Sequence, residues 1–495
     1  MSTSYLQLIR FALPEVIVVA TALLVLVVDL LLLRKQSLRT RFAMTSVLAV
    51  VGCLSAIASL VLAPSLGSLY GEMFLANPLV NFVQIAVLAL TIFTLLLTVD
   101  SSFTNHVGEF VFLVLLATTG MLFLVATLDL LVIFTSLELL SLSLYIMTAF
   151  DKENARSSEA ALKYFLFGGM SAAFLLFGFS ILYGLSNSTS LLQIAASIHG
   201  VSPLLVIAIV TTVIGFGFKV AAAPLHFWAP DVYESAPIPA AAFIASGSKV
   251  ASFFVFFEIM AVGLAGASGG AAWLHFTNGW VPAVAAVAAL SMVLGNTVAI
   301  VQSSVRRLLA YSAVAHAGYM LIAIIGHTQQ NLSALLYYVV TYGLATIGAF
   351  GVIGVVERQT GNDRLDSFNG LSRRAPLLSA CLFVFLLSLA GIPPLAGFFG
   401  KFYLFVSALH ATPGSSGLLW LVVLAIAMSA VSLYYYLQVL KRAFVTAPSV
   451  EGEMLPVPAV TQAVVAVLAF GVVLFGSFPN LLLHWIQSAL AASGW

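Results

Sequence analysis

The sequence predicts an all-α polytopic membrane protein with about 14 transmembrane helices. Three observations predict it. First, 62% of the 495 residues are hydrophobic and 7% are charged, with a mean hydropathy of +1.12. A soluble domain is about 25% charged, so this chain cannot cover a water-facing surface and a soluble enzyme is excluded. Second, the chain divides into apolar runs near the roughly 20 residues that cross a bilayer. Third, its lysines and arginines segregate between alternate loops.

The runs lie near residues 11–33, 43–63, 78–99, 108–127, 128–149, 161–184, 203–227, 237–262, 279–302, 305–326, 333–356, 377–409, 417–440 and 459–488. Only Ala126 to Asp129 separate the fourth from the fifth. With the N-terminus outside and strict alternation, the inner loops hold Arg34, Lys35, Arg39 and Arg41, then Lys152 and Arg156, then Arg306 and Arg307. They go on to hold Arg358, Arg364, Arg373 and Arg374, and finally Lys441 and Arg442. Outside there is Arg10 alone. That asymmetry is what the positive-inside rule demands, and a miscounted span would scramble it. The inner loops 100–107 and 228–236 carry no Lys or Arg and are neutral. Both termini are expected outside. The first apolar run passes straight into a basic loop, so no cleavable signal is expected.

Four lysines remain inside spans: Lys163, Lys219, Lys249 and Lys401. A lysine at mid-membrane costs about 2.5–3.5 kcal/mol, so all four should face protein or water. Glu138 lies in the fifth run, 14 residues before Lys152, and Lys163 lies 11 after it. On antiparallel helices rising about 1.5 Å per residue, the two differ by only about 4–5 Å in depth, which permits a buried Glu138–Lys163 pair. The competing reading is a static pair, or a Lys163 that snorkels to the inner surface. Lys219 stands five residues before Pro224, with His226 directly after. Proline frees carbonyls one turn earlier, and broken helices at membrane depth occur where backbone lines a cavity or protein. Lys249 follows Ala245-Ser246-Gly247-Ser248, small residues that permit close helix approach. The twelfth run is overlong and contains Gly391-Ile392-Pro393-Pro394-Leu395-Ala396-Gly397, one turn before Lys401. Helices 7 and 12 are therefore expected to be broken. They are five spans apart, an odd number, which is the arithmetic of two inverted five-helix repeats. The expected segments are a three-helix region 1–107, repeats 108–262 and 263–443, and a C-terminal helix 444–495.

The other polar groups have plainer readings. Glu15 and Asp29 fall near span ends, Glu258 and Glu357 are expected at interfaces, and Trp228, Trp273, Trp280 and Trp495 are expected as interface anchors. His316 reads equally as a packed histidine and as a proton relay. The isolated Cys53 and Cys381 exclude an iron–sulfur cluster, a zinc ribbon and a disulfide framework. There is no Walker A loop or dinucleotide fingerprint, so neither ATP nor NADH should bind here, and no basic tract for nucleic acid.

The chain resembles the antiporter-like membrane subunits of respiratory complex I, a family shared with Mrp-type cation/proton antiporters. The resemblance rests on Leu137-Glu138-Leu139, on Phe218-Lys219-Val220 through Phe227-Trp228, on Arg307-Leu308-Leu309 through Gly318-Tyr319, and on Gly391-Ile392-Pro393-Pro394 through Lys401-Phe402. Leu13-Pro14-Glu15 before a long apolar run is similar to the N-type branch, and the length leaves no room for a long lateral helix. The resemblance implies that Glu138, Lys163, Lys219, Lys249 and Lys401 carry protons, with His226 beside them. It implies a hetero-oligomer in a bacterial inner membrane. It places NADH, FMN, iron–sulfur clusters and quinone in partner subunits, with none in this chain. The mechanism expected is a Glu138–Lys163 switch acting on Lys219. Charges about 6 Å apart at an effective dielectric of about 20 interact by about 2.8 kcal/mol. That is close to the roughly 3.5 kcal/mol needed to move a proton against about 150 mV. The alternative is an Mrp-type antiporter subunit.

Overall fold

The computed structural model describes residues 5–273, 275–410, 417–447 and 454–494. The described residues are mostly helical. Its principal helices are α1 (Leu13–Val28), α2 (Leu38–Leu62), α3 (Pro78–Thr98), α4 (Val107–Val125), α5 (Leu130–Thr148), α6 (Ala155–Ser186), α7 (Pro203–Lys219), α8 (Trp228–Ser235), α9 (Ile238–Ala245) and α10 (Gly247–Glu258). There follow α11 (Trp280–Ala299), α12 (Val305–Gly326), α13 (Gln329–Thr360), α14 (Pro376–Ala390), α15 (Ala396–His410), α16 (Leu419–Phe444), α17 (Ala459–Ser477) and α18 (Asn480–Ala492). Among the described residues, 12 helical stretches are long and apolar enough to cross a membrane, and α7 and α14 are shorter apolar helices. Two small antiparallel hairpins, β1 (Gly67–Leu69) with β2 (Phe74–Ala76) and β3 (Gly270–Ala272) with β4 (His275–Thr277), sit in the α2–α3 and α10–α11 loops.

Helix starts follow their sequence signals. Asp129 caps α5, its Oδ1 accepting from the Leu131 and Val132 amides at 2.9 and 3.2 Å. Thr328 and Asn331 form a capping box on α13. α13 is the central element: it is buried along nearly all of its 32 residues and packs on α3, α9, α10, α12, α14, α15 and α17. At the α11–α12 contact, a Cβ on Gly295 would lie 2.5 Å from the Ala315 amide nitrogen, and one on Gly318 would lie 2.8 Å from the Ala288 carbonyl oxygen. These two glycines let the backbones meet, as small residues do between membrane helices. On the outside of the bundle, α1, α2 and α6 expose large apolar side chains such as Leu24, Val47 and Phe177.

Several sequence expectations need correction. The run 459–488 is two helices, because Phe478 and Pro479 divide α17 from α18. α6 has 32 residues and is about 48 Å long, starting six residues before the expected run 161–184. Trp228 and Trp280 are 2% and 0% exposed and serve as packing groups rather than surface anchors. Trp228 stacks on Tyr164 at 4.1 Å, and Trp280 donates to the Leu264 carbonyl. Trp273 is exposed, and Trp495 lies outside the described residues. Glu15 and Glu258 are buried, at 1% and 5% exposure. Glu15 accepts from the Gln84 amide at 2.6 Å, and Asp29 is ion-paired to Arg41. Cys53 and Cys381 are buried free thiols.

Candidate functional site

α7 ends at Lys219, and the segment from Val220 to Phe227 is a turn with Ala221 at φ +59°. The backbone groups released there are satisfied from outside the helix. The Ser291 hydroxyl accepts the Ala223 amide at 2.8 Å, and the Trp228 indole donates to the Phe218 carbonyl at 3.0 Å. Backbone groups freed among apolar helices need such substitutes. The Lys219 ammonium, 7% exposed, donates to the Ser141 hydroxyl at 2.8 Å. Glu138, one turn before Ser141 on α5, lies within electrostatic reach of Lys219.

A second constellation gathers around α12. Lys249 is the third residue of α10 and is 2% exposed. It donates to the Ala313 carbonyl at 2.9 Å and lies 5.3 Å from the Tyr342 ring centroid. One turn along α12, His316 is hydrogen-bonded through Nδ1 to the Tyr338 hydroxyl at 2.6 Å and through Nε2 to the Tyr436 hydroxyl at 3.1 Å. Tyr436 in turn is bonded to Ser312. Lys249 and Lys401 both lie within electrostatic reach of His316. Lys401, 4% exposed, donates to the Leu389 and Ala390 carbonyls at 3.0 Å each and to the Ser429 hydroxyl at 2.8 Å. Those carbonyls are the unsatisfied C-terminal end of α14, the negative end of its dipole. Gly391 at φ +87° closes α14, and a Cβ there would come within 3.0 Å of Lys401 Cδ. Tyr319 presents its ring 5.0 Å from the Lys401 ammonium.

Lys163 is placed differently from the sequence expectation. Its ammonium pairs with Asp231 and Glu159 at 2.8 Å each, with no described ion pair to Glu138. The side chain, 42% exposed, reaches Glu159 one turn earlier on its own helix and Asp231 on α8. Asp231 also accepts from Arg307 at 2.9 Å, and Arg307 holds Glu234 at 3.0 Å. Burial pushes the Asp231 carboxyl up, but the hydrogen bonds from Lys163 and Arg307 outweigh it and hold it below its ordinary value. His226 is buried in the turn before α8, stacked on Phe227 and edge-on to Tyr311, with Nδ1 lacking a hydrogen-bond partner among the described residues. No group of three or more His, Cys, Asp or Glu among the described residues is placed to hold a metal.

Comparison with known proteins identifies the family. The family described as NADH:quinone oxidoreductase/Mrp antiporter, TM, matches residues 127–431. The chain belongs to this family. Among curated relatives of this family, the chain is 52% identical to NADH-quinone oxidoreductase subunit N 2 of Acidobacterium capsulatum, covering 98% of this chain and 99% of that one. It is 40% identical to NAD(P)H-quinone oxidoreductase subunit 2 of a Synechocystis species, covering 90% and 83%. Among solved structures, a chain of respiratory complex I from Thermus thermophilus with bound aureothin aligns with a TM-score of 0.78 at 33% identity, over 95% of this chain and 98% of that one. A chain of the Mrp complex from Dietzia aligns with a TM-score of 0.82 at 19% identity, over 98% and 97%, a likeness of fold alone.

The family match spans Glu138, Lys163, Lys219, Lys249, His316 and Lys401, while α1 to α4 lie before it. Sequence reading missed the neutral groups that hold the lysines: Ser141, Tyr319, Tyr342, Ser429 and the α14 carbonyls. Serines and tyrosines on apolar helices carry no spacing signal that separates a ligand from core packing. Asp231 was also missed, although two residues in the Arg306-Arg307 loop offered cations to meet an acid.

Proposed function

We propose that this chain is a proton-translocating membrane-arm subunit of a bacterial NADH:quinone oxidoreductase. Protons move through Glu138, Lys219, Lys249, His316 and Lys401. One observation carries the reading: Lys219, Lys249 and Lys401 are buried, and their hydrogen bonds go to hydroxyls and backbone carbonyls instead of carboxylates. A buried cation kept for structure alone is normally ion-paired, since burial of an uncompensated charge is costly. A lysine that must release a proton is better held by neutral acceptors, which bind ammonium and free amine alike. Lys163, ion-paired twice at 2.8 Å, reads as an anchor for the Asp231 cluster more than as a carrier.

The chain works as one subunit of a translocase and holds no redox centre of its own. NADH, FMN, iron–sulfur clusters and quinone belong to partner subunits, whose quinone reduction drives the lysine row. In this reading the polypeptide crosses the inner membrane 14 times with both termini outside. α4 to α10 and α11 to α16 are two inverted repeats, with the α7–α8 turn and the α14–α15 turn as matching breaks. The Mrp-type alternative is weaker: its likeness is in fold, while the similar curated relatives are oxidoreductase subunits. The test is native purification followed by transport in vesicles. Partner subunits should co-purify, and proton uptake should start on adding NADH. Uptake driven by a sodium or potassium gradient without NADH would favour the antiporter reading.

A further inference from the structure

A narrow cavity of about 20 Å³ lies where the start of α1, the end of α2 and the start of α3 meet, with β2 against it. Glu15 reaches it from α1, Ser59 from α2, Asn81 and Gln84 from α3, and Arg10 from the short helix Tyr5–Phe11. All of these residues precede the family match, which begins at residue 127, and none belongs to the lysine row.

Glu15 is the conspicuous group, a carboxylate 1% exposed. Its Oε1 accepts from the Gln84 amide nitrogen at 2.6 Å, and that same nitrogen donates to the Leu122 carbonyl at 3.2 Å. An amide nitrogen has two hydrogens, so Gln84 has none left to give. Glu15 Oε2 is buried without a hydrogen-bond partner among the described residues. A buried carboxylate with one bare oxygen calls for a donor that carries positive charge. Arg10 is not that donor: it is exposed and has no ion pair among the described residues, although it lines the same cavity. The Ser59 hydroxyl gives its proton to the Ala56 carbonyl at 2.7 Å and so faces the cavity as an acceptor. A volume of about 10–15 Å³ holds one water-sized group. A primary ammonium has that size and three donors, whereas a trimethylammonium is larger and has none.

The cavity also adjoins apolar surface. Ile9, Leu62 and Leu66, each next in sequence to a lining residue, are 49%, 82% and 62% exposed. A ligand that meets all of this has an ammonium, an anion a few bonds away and apolar tails. The geometry points to a binding site for a phospholipid with a primary-amine headgroup, a phosphatidylethanolamine, its ammonium against Glu15 Oε2 and its phosphate on the Arg10 guanidinium. Both contacts are charge-assisted hydrogen bonds, and the arginine fork suits phosphate. In the orientation proposed above, the lipid belongs to the outer leaflet and ties the first three helices to it. The site is independent of the carrier role of the lysines.

The test reconstitutes the intact complex in phosphatidylcholine vesicles with a trace of phosphatidylethanolamine that carries a photoreactive acyl chain. Crosslinks are mapped by peptide to the stretches around Ile9, Leu62 and Leu66. Unlabelled phosphatidylethanolamine should displace the label several-fold more effectively than phosphatidylcholine or phosphatidylglycerol. Glu15→Gln keeps the shape and removes the charge, and Arg10→Gln changes an exposed side chain that folding does not need; each should cut labelling several-fold. Displacement by phosphatidylcholine as effective as by phosphatidylethanolamine overturns the site, and so does full labelling of either variant. Labelling lost in sodium chloride but kept in choline chloride of equal ionic strength assigns the cavity to a bare metal cation and also overturns it. If Glu15→Gln does not assemble, the competition and Arg10→Gln decide alone.

Discussion

At the scale of single residues, what distinguishes the site is the partner each charge has. Lys219 meets a serine hydroxyl with Glu138 in reach, and Lys401 meets helix-end carbonyls. Glu138→Gln removes the charge that acts on Lys219 while keeping shape. It should lower proton uptake several-fold with assembly intact, read as proton uptake per NADH oxidised; full uptake would make Glu138 structural. Asp231 behaves in the opposite sense. Its carboxyl lies below the ordinary value of 3.8, so its contribution to stability is present above that value and is lost as pH falls through the lower, folded one. The thermal stability advantage of the native protein over Asp231→Asn should therefore persist from neutral pH to about 4 and fade below it. An advantage that vanished near pH 6 would contradict the ion-pair geometry.

At the scale of elements, breaks do the positioning. Gly391 ends α14 at φ +87°, and the carbonyls it exposes are those that hold Lys401. Gly391→Ala adds a Cβ 3.0 Å from Lys401 Cδ in a conformation that costs about 1–3 kcal/mol for other residues. It should lower the unfolding temperature and reduce proton uptake together; an unchanged protein would mean that Lys401 does not depend on this turn. Pro224 and the Pro393-Pro394 pair lie in the turns that follow α7 and α14, where proline acts locally, without knowledge of the fold. The Lys163 partner was not legible for the opposite reason. Depth along antiparallel helices follows from residue counting, but the direction of a long side chain depends on which acids a third element brings, and α8 brings Asp231. Pro479 parts α17 from α18 within a stretch that is apolar on both sides, so the run 459–488 reads as continuous by composition. Trp228 and Trp280 misled because tryptophan is common both at interfaces and in aromatic cores.

At the scale of the whole molecule, composition and the Lys/Arg asymmetry were enough to establish a polytopic helical protein, since both are sums over the chain that no local ambiguity disturbs. The orientation proposed from the same sum can be checked directly. Cys53 and Cys381 are buried, so their background labelling is low. Cysteines at the exposed positions Arg39 and Arg364 should be protected from an impermeant thiol reagent added outside, and a cysteine at the exposed His199 should react. Labelling of the first two would overturn the layout. The central claim is that buried lysines held by neutral groups carry protons, and Lys219 tests it most directly. Arginine at this position keeps the charge but does not deprotonate. The measurement is NADH-driven proton uptake by vesicles containing Lys219→Arg, normalised to assembled complex. The account predicts a loss of roughly tenfold or more, comparable to Lys219→Ala. Near-normal uptake by Lys219→Arg, with Lys219→Ala inactive, would show that Lys219 is a structural cation and contradict it.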